Sequence, residues 1–294
     1  AVVNPADGLA FNRTDFSLVE NLAEQAGLAV HNADAMNLQI EKSRLDMELE
    51  LASNIQGLLL PNQFPDTGNL DIGAVYKPSQ QVGGDLYDIF RISERKVGVA
   101  IADVSGKGIP GSLLMAICQT NLRHFAKQYS SPGDVLSAIN REMMHAGMRK
   151  DKFVTMIYAI IDSERDEITL ARAGHELPLY VSRAGASQRL EPSRLRSGGM
   201  ALGMVPSEIF DAAIDDKKVA FHAGDILVLY TDGITEVSND EGTEFSFSRL
   251  ADAVQILKDR SADALNDGIL ETLDRFSGAK SYGDDLTLVT IKHR

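Results

Sequence analysis

Hydrophobic positions fall at helical spacing near the N-terminus and at strand spacing beyond it. From residue 14 to Leu60 the pattern is helical, with Pro61 and Pro65 to stop it and Thr14 or Asp15 placed to cap it. Small or apolar residues recur in heptads at Leu22, Ala26, Ala29, Ala33, Met36, Ile40 and Met47, interrupted at Ser43. Leu51, Ile55, Leu58 and Leu59 continue the stripe in a shifted phase, which reads as a stutter around residues 43–50. At about 1.5 Å per residue the helix would extend on the order of 69 Å, more than a globular domain needs. The pattern predicts a parallel coiled-coil dimer over its first half, with the second half packed on the domain that follows. The alternative is one amphipathic helix folded back on that domain.

Short apolar runs bounded by turn residues then predict strands at 70–77, 86–92, 97–102, 153–162, 166–173, 177–183, 226–230 and 286–292. One or two more are expected within 209–221, and residues 185–207, rich in Gly, Ser and Arg, read as a loop. Helices are predicted from Gly108, with Leu113, Leu114, Ile117, Leu122 and Phe125 on the buried side, and over 132–146, 246–258 and 262–276. Ser131 and Pro132 supply an N-cap and a first helical position. Strands in blocks with paired helices imply an α+β fold, sheet packed on sheet with helices outside. The expected division is an irregular N-terminus or the end of another domain at 1–13, a linker helix at 14–61 and a folded domain at 62–294.

Composition narrows the function. The 294 residues are 44% hydrophobic, enough for a sizeable core, and the net charge of −13 argues against nucleic acid or an anionic membrane as the main partner. The single cysteine, Cys118, lies in an apolar run and reads as a core residue; it allows no internal disulfide and suits a reducing cytosol. No apolar run is long enough to span a membrane and no signal peptide is visible. A start at Ala1 rather than Met is expected of a fragment.

Chemistry concentrates at four acidic corners, each with glycine nearby and at the edge of an apolar strand: Asp85, Asp103, Asp232 and Asp284-Asp285. Asp85 opens one strand of a predicted hairpin and Asp103 ends the other, so the hairpin brings them together. Two close carboxylates repel unless a proton or metal intervenes. All-oxygen donors suit Mg²⁺ or Mn²⁺, and two such ions suit in-line attack of water on phosphorus. The six histidines (31, 124, 145, 175, 222 and 293) show no metal-ligand spacing, which disfavours zinc. Each corner alone would also be ordinary Asp-Gly turn chemistry.

In order, Gly83-Gly84-Asp85-Leu86-Tyr87-Asp88, Asp103-Val104-Ser105-Gly106-Lys107-Gly108, Ala173-Gly174-His175, Thr231-Asp232-Gly233 and Gly283-Asp284-Asp285-Leu286-Thr287 resemble the motifs of the metal-dependent PPM (type 2C) serine/threonine phosphatases. More narrowly they resemble the bacterial SpoIIE and RsbU-like branch, as does the helical approach Ala52-Ser53-Asn54-Ile55-Gln56 through Pro61. The resemblance covers about residues 46–294. Residues 1–33 resemble the last strand and helix of a GAF sensory domain. The family implies an αββα sandwich of two antiparallel sheets flanked by helices, with two Mn²⁺ or Mg²⁺ ions between the sheets.

Carried over by motif, Asp103 would bridge both metals. Asp232 and Asp284 would complete one site, and Asp85 with the Val104 carbonyl the other. Asp285 falls where Asn is often found and is a less secure ligand; Asp88 would act through waters or simply sit on the strand surface. Ser105 stands where many eukaryotic relatives carry a His proposed as general acid, and their upstream phosphate-binding Arg has no clear counterpart. Lys107 could meet the phosphate or be loop charge, and His175 is expected to be structural. The branch implies dephosphorylation of an anti-sigma-factor antagonist (a STAS-domain protein) by direct attack of metal-bound hydroxide. It also implies a cytoplasmic homodimer regulated through the linker helix. The alternatives are a two-metal nucleotidyl cyclase, which would need a basic triphosphate pocket, and a phosphatase fold that only binds a partner.

Overall fold

The computed structural model describes residues 13–106, 108–146, 152–184, 189–278 and 282–294. The GAF-like strand expected before residue 13 and Lys107 lie outside them. Two compact units divide between Leu51 and Ala52. The first holds most of the helix α1 (Arg13–Leu59), whose large apolar side chains are exposed, Leu22, Met36, Ile40 and Met47 among them. Thr14 and Asp15 lie inside its first turn rather than capping it.

The second unit is a sandwich of two five-stranded antiparallel sheets. One has the order β1 (Leu70–Lys77), β10 (Leu286–His293), β9 (Ile226–Tyr230), β6 (Leu179–Ala184), β7 (Arg189–Arg194). The other runs β2 (Leu86–Ser93), β3 (Lys96–Val104), β4 (Val154–Asp162), β5 (Glu167–Ala173), β8 (Lys217–Ala220). Alternate residues of β3 and β4 face opposite ways. Val97, Val99, Ile101, Ile157, Ala159 and Ile161 enter the core between the sheets, where they meet Leu227, Leu229, Val289 and Ile291. Ala100, Ala102, Met156 and Tyr158 face α2 (Ile109–Phe125) and α3 (Pro132–His145). The outer face of the first sheet is covered by α6 (Ser246–Leu257) and α7 (Ala262–Ser277). The fold is therefore the expected αββα sandwich.

Helix ends follow the expected chemistry. The Ser131 side chain accepts from Asp134 N with Pro132 in the first turn, and α7 runs from a Ser261 cap to Gly278 at φ 71°. Three local expectations are corrected. The loop at 185–207 contains β7, an edge strand in which Pro192 is tolerated because edge strands need not donate on both sides. The segment at 209–221 yields β8 but also a short helix α4 (Ser207–Ala213), whose Phe210 is fully buried against α3. On α2 the buried stripe is Met115, Cys118 and Leu122, while Leu113 and Ile117 are more than half exposed. The first half of that helix is apolar on every side from Leu113 to Cys118, so periodicity alone did not select its inner face. Cys118 is buried, and burial pushes its thiol up to about 12, as befits an inert core residue.

Asp88 is neither exposed on the strand nor free for waters. It is fully buried on β2 and accepts two bonds from Arg123 of α2, Nε to Oδ2 at 2.6 Å and Nη2 to Oδ1 at 2.8 Å. This fork ties α2 to the sheet. Arg123→Met strands a buried carboxylate and should cost about 2–4 kcal/mol in urea unfolding, and adding Asp88→Leu should recover part of that loss. A single variant as stable as wild type would show that the pair does not hold α2.

Candidate metal centre

Strand register brings the acidic corners to one end of the sandwich. Leu86 pairs with Ala102, so Asp85 just before β2 faces Asp103 on β3. In the other sheet Leu288 pairs with Tyr230. Asp284 and Asp285, just before β10, thus come beside Asp232, which opens the four-residue helix α5 (Asp232–Thr235). The approach there is close: a Cβ on Gly233 would lie 2.0 Å from the Asp285 carbonyl oxygen.

Asp85 joins the two sheets. It is 2% exposed, and its Oδ2 accepts from Thr231 Oγ1 at 2.8 Å and Thr287 Oγ1 at 2.5 Å. Thr231 follows β9 and Thr287 lies in β10, so both donors come from the opposite sheet. Burial pushes the Asp85 carboxyl well above its ordinary range. The Thr287 hydroxyl opposes that and the Asp103 charge adds to it; of two smaller effects, the Thr231 hydroxyl lowers it and the Asp285 charge raises it.

Asp285 is committed to the residue 79–85 loop, mostly to its backbone. Its Oδ1 accepts from Ser79 N at 2.7 Å and Ser79 Oγ at 3.0 Å. Its Oδ2 accepts from Gly84 N at 2.7 Å and Asp85 N at 3.4 Å. Asp285 thus holds the loop that presents Asp85, while the preceding Asp284 is exposed. Asp103 is half-buried, and the Asp232 and Asp284 charges reach Glu236, whose carboxyl is raised first by burial and then by these acidic neighbours.

The same loop is gripped from α1. Gln56, the buried residue of that helix, donates from Nε2 to Gly83 O at 2.8 Å and accepts from Gly83 N at 3.1 Å. Gln119 of α2 donates to Leu59 O at 2.7 Å. Sequence reasoning gave no partner to either glutamine and did not pair Thr231 or Thr287 with Asp85, although Gln56 and both threonines stand within the quoted motifs.

The donor set is hard and all-oxygen: the carboxylates of Asp85, Asp103, Asp232 and Asp284, and the Val104 carbonyl, which lies 2.9 Å from where a Cβ on Gly84 would sit. Gly84 keeps that carbonyl uncovered. This chemistry fits Mg²⁺ or Mn²⁺. Among the described residues no three His, Cys, Asp or Glu side chains are grouped closely enough to hold a metal ion by themselves. The sheets present the carboxylates as two pairs, one per sheet.

His175 is structural, as expected. It is buried, accepts at Nδ1 from Thr155 Oγ1 at 2.8 Å and donates from Nε2 to Tyr230 O at 3.1 Å, linking β4 to the strand that leads into Asp232. A carbonyl can only accept, which fixes the tautomer.

The SpoIIE family model, "Stage II sporulation protein E", matches residues 93–294, well over half of the chain. The chain belongs to the SpoIIE family. Within it the chain is a PP2C-type (PPM) metal-dependent serine/threonine phosphatase, similar to RsbU. It is 28% identical over 255 residues to phosphoserine phosphatase RsbU of Bacillus subtilis, covering 86% of this chain and 72% of that one. The fold matches the SiaA PP2C domain of Pseudomonas aeruginosa with a TM-score of 0.73 at 20% identity, over 86% of this chain and 98% of that one. It matches the RsbU and RsbW domains of Rv1364c from Mycobacterium tuberculosis at 0.67 and 24% identity, over 80% and 63%. Family membership displaces the cyclase alternative.

Burial lowers the His175 pKa to about 4 from an unfolded value near 6.5, with the Arg172 charge adding to the effect. Between those values the unfolded chain takes up a proton that the folded chain refuses, so stability falls as pH drops through this window. Wild type should lose up to about 3 kcal/mol more than His175→Gln between pH 6.5 and 4. Parallel pH–stability curves for the two proteins would contradict it.

Proposed function

We propose that Asp85, Asp103, Asp232 and Asp284, with the Val104 carbonyl, hold two Mn²⁺ or Mg²⁺ ions and that the protein hydrolyses phosphoserine or phosphothreonine on a regulatory protein. Asp103 would be the ligand shared by both ions, and Asp285, which accepts from Ser79 and Gly84, would serve as a loop anchor rather than a ligand. The observation that carries this reading is the Asp85 carboxylate, buried between the sheets and oriented by Thr231 and Thr287. A carboxylate kept there at that cost is explained by a cation beside it. The chemistry such ions would supply is a more acidic bound water and compensation of phosphate charge, which would suit direct attack of water on phosphorus without a phosphoenzyme. The chain's own contribution is to fix the donors: Asp285 and Gln56 hold the loop, and Gly84 leaves the Val104 carbonyl open.

The substrate we propose is a STAS-domain anti-sigma-factor antagonist, on the motif resemblance and the likeness to RsbU. Regulation enters through α1. Its heptad positions are exposed, which supports pairing with a second copy. Its last turns reach the metal loop directly, Gln56 clamping Gly83 two residues before Asp85.

Phosphate release from a phosphoserine protein should require Mn²⁺ and fall at least about a hundredfold in Asp232→Asn. Metal-independent release, or full activity in the variant, would overturn the centre. Gln56→Ala, which touches no proposed ligand, should weaken Mn²⁺ binding about tenfold. Deletion of residues 1–45 with no change in activity, metal affinity or oligomeric state would rule out regulation through the linker.

A further inference from the structure

The proposed centre lacks a charge. The four carboxylates of Asp85, Asp103, Asp232 and Asp284 balance two divalent cations, and a phosphomonoester dianion then arrives uncompensated. A cationic side chain at the cleft would balance it in part. Arg123 is spent on Asp88, and Arg172 donates to the carbonyls of Ser197 and His175.

Lys152 is placed differently. It stands two residues before β4, whose Val154 pairs with Val104, so it faces Gly106 across the mouth of the sheet. The position is locked by Ser105 N donating to Phe153 O at 2.9 Å and Phe153 N donating to Ser105 Oγ at 2.8 Å. The ammonium reaches back over the loop that follows Asp103: Nζ lies 3.5 Å from Ser105 O and 2.6 Å from where a Cβ on Gly106 would be. Gly106 has φ 110°, and its carbonyl oxygen lies 3.3 Å from a Cβ position on Gly84, the residue before Asp85. Ammonium, Gly106 and the Gly84–Asp85 loop thus stack contiguously. A carbonyl at 3.5 Å is at the limit of a hydrogen bond and engages the three-donor ammonium only weakly.

We propose that Lys152 binds the phosphoryl oxygens of the substrate and of the phosphate product. This rests on the metallophosphatase reading above. Lysine suits the task as a compact point charge that needs no fixed fork geometry. Glycine suits position 106 because its φ of 110° disfavours a side chain and because a Cβ there would push the ammonium aside.

The test uses the full chain and inorganic phosphate, titrated calorimetrically into Mn²⁺-loaded wild type, Lys152→Gln and Lys152→Arg, with a Mn²⁺ titration of each. Gln keeps a donor for the Ser105 carbonyl but removes the charge. The expected result is phosphate binding roughly ten- to a hundredfold weaker in Lys152→Gln, Mn²⁺ affinity unchanged, and most of the loss restored in Lys152→Arg. Phosphate binding in the Gln variant equal to wild type would overturn the proposal, and so would an equal loss of Mn²⁺ affinity, which marks a residue that only shapes the loop. Wild type that takes up no Mn²⁺ would instead overturn the centre, and Lys152's role with it.

Discussion

The second unit is organised around a carboxylate placed where carboxylates are costly. Asp85 is buried between two sheets, and an isolated charge there would not persist. The fold offsets that cost in part with two hydroxyls delivered from the opposite sheet, Thr231 after β9 and Thr287 in β10. Those bonds form only if both sheets stand in register at the same end. The Thr287 N–H also donates to the Thr231 hydroxyl at 3.1 Å, which fixes the direction in which that hydroxyl can point. Sheet packing and site geometry are thus one constraint: a shift in either sheet would strand Asp85 without partners.

Around this point the chain favours backbone over side chains. Gly83, Gly84 and Gly233 each lie where a Cβ would meet another atom at 2.9 Å or less. Removing those Cβ atoms lets two loops approach and leaves the Val104 carbonyl uncovered. The loops are then held by polar side chains from a distance in sequence: Asp285 on Ser79 and Gly84, Gln56 on Gly83. Their hydrogen bonds replace the packing that glycine cannot supply, and buried backbone groups are satisfied in the process.

What could be read from the sequence was whatever depends on local pattern. The β2–β3 hairpin, and with it the meeting of Asp85 and Asp103, followed from alternation and a turn. The corners at Asp232 and Asp284-Asp285 followed from apolar runs that end in Asp and Gly. Not legible were bonds whose partners are far apart and whose residue types are unremarkable. Asp88 and Arg123 are 35 positions apart, and nothing in either segment names the other. Gln56 stood in a segment noted only for its family resemblance, and only the fold shows it turned inward onto Gly83. The inner face of α2 was misread because Leu113 and Ile117 are as apolar as Met115 and Cys118. The strand β7 was missed because an edge strand carrying Pro192 shows no alternation to detect.

The Gln56 clamp also says how a helix can influence a site it does not line. Gln56 contacts neither Asp85 nor Asp103 by any bond described; it holds both the donor and the acceptor of Gly83. Rotation of a helix by a fraction of a turn moves a side-chain amide by several ångströms, enough to break both bonds together. Gly83 has no side chain to hold it in place, so its backbone would then be restrained chiefly through its neighbours. Asp285 would still bind Gly84 N, so the loop would loosen rather than unfold. Loosening of that kind would alter the geometry of Asp85 while leaving the sheets and their threonine donors intact. An on–off control of metal affinity needs that separation between a movable loop and a fixed scaffold.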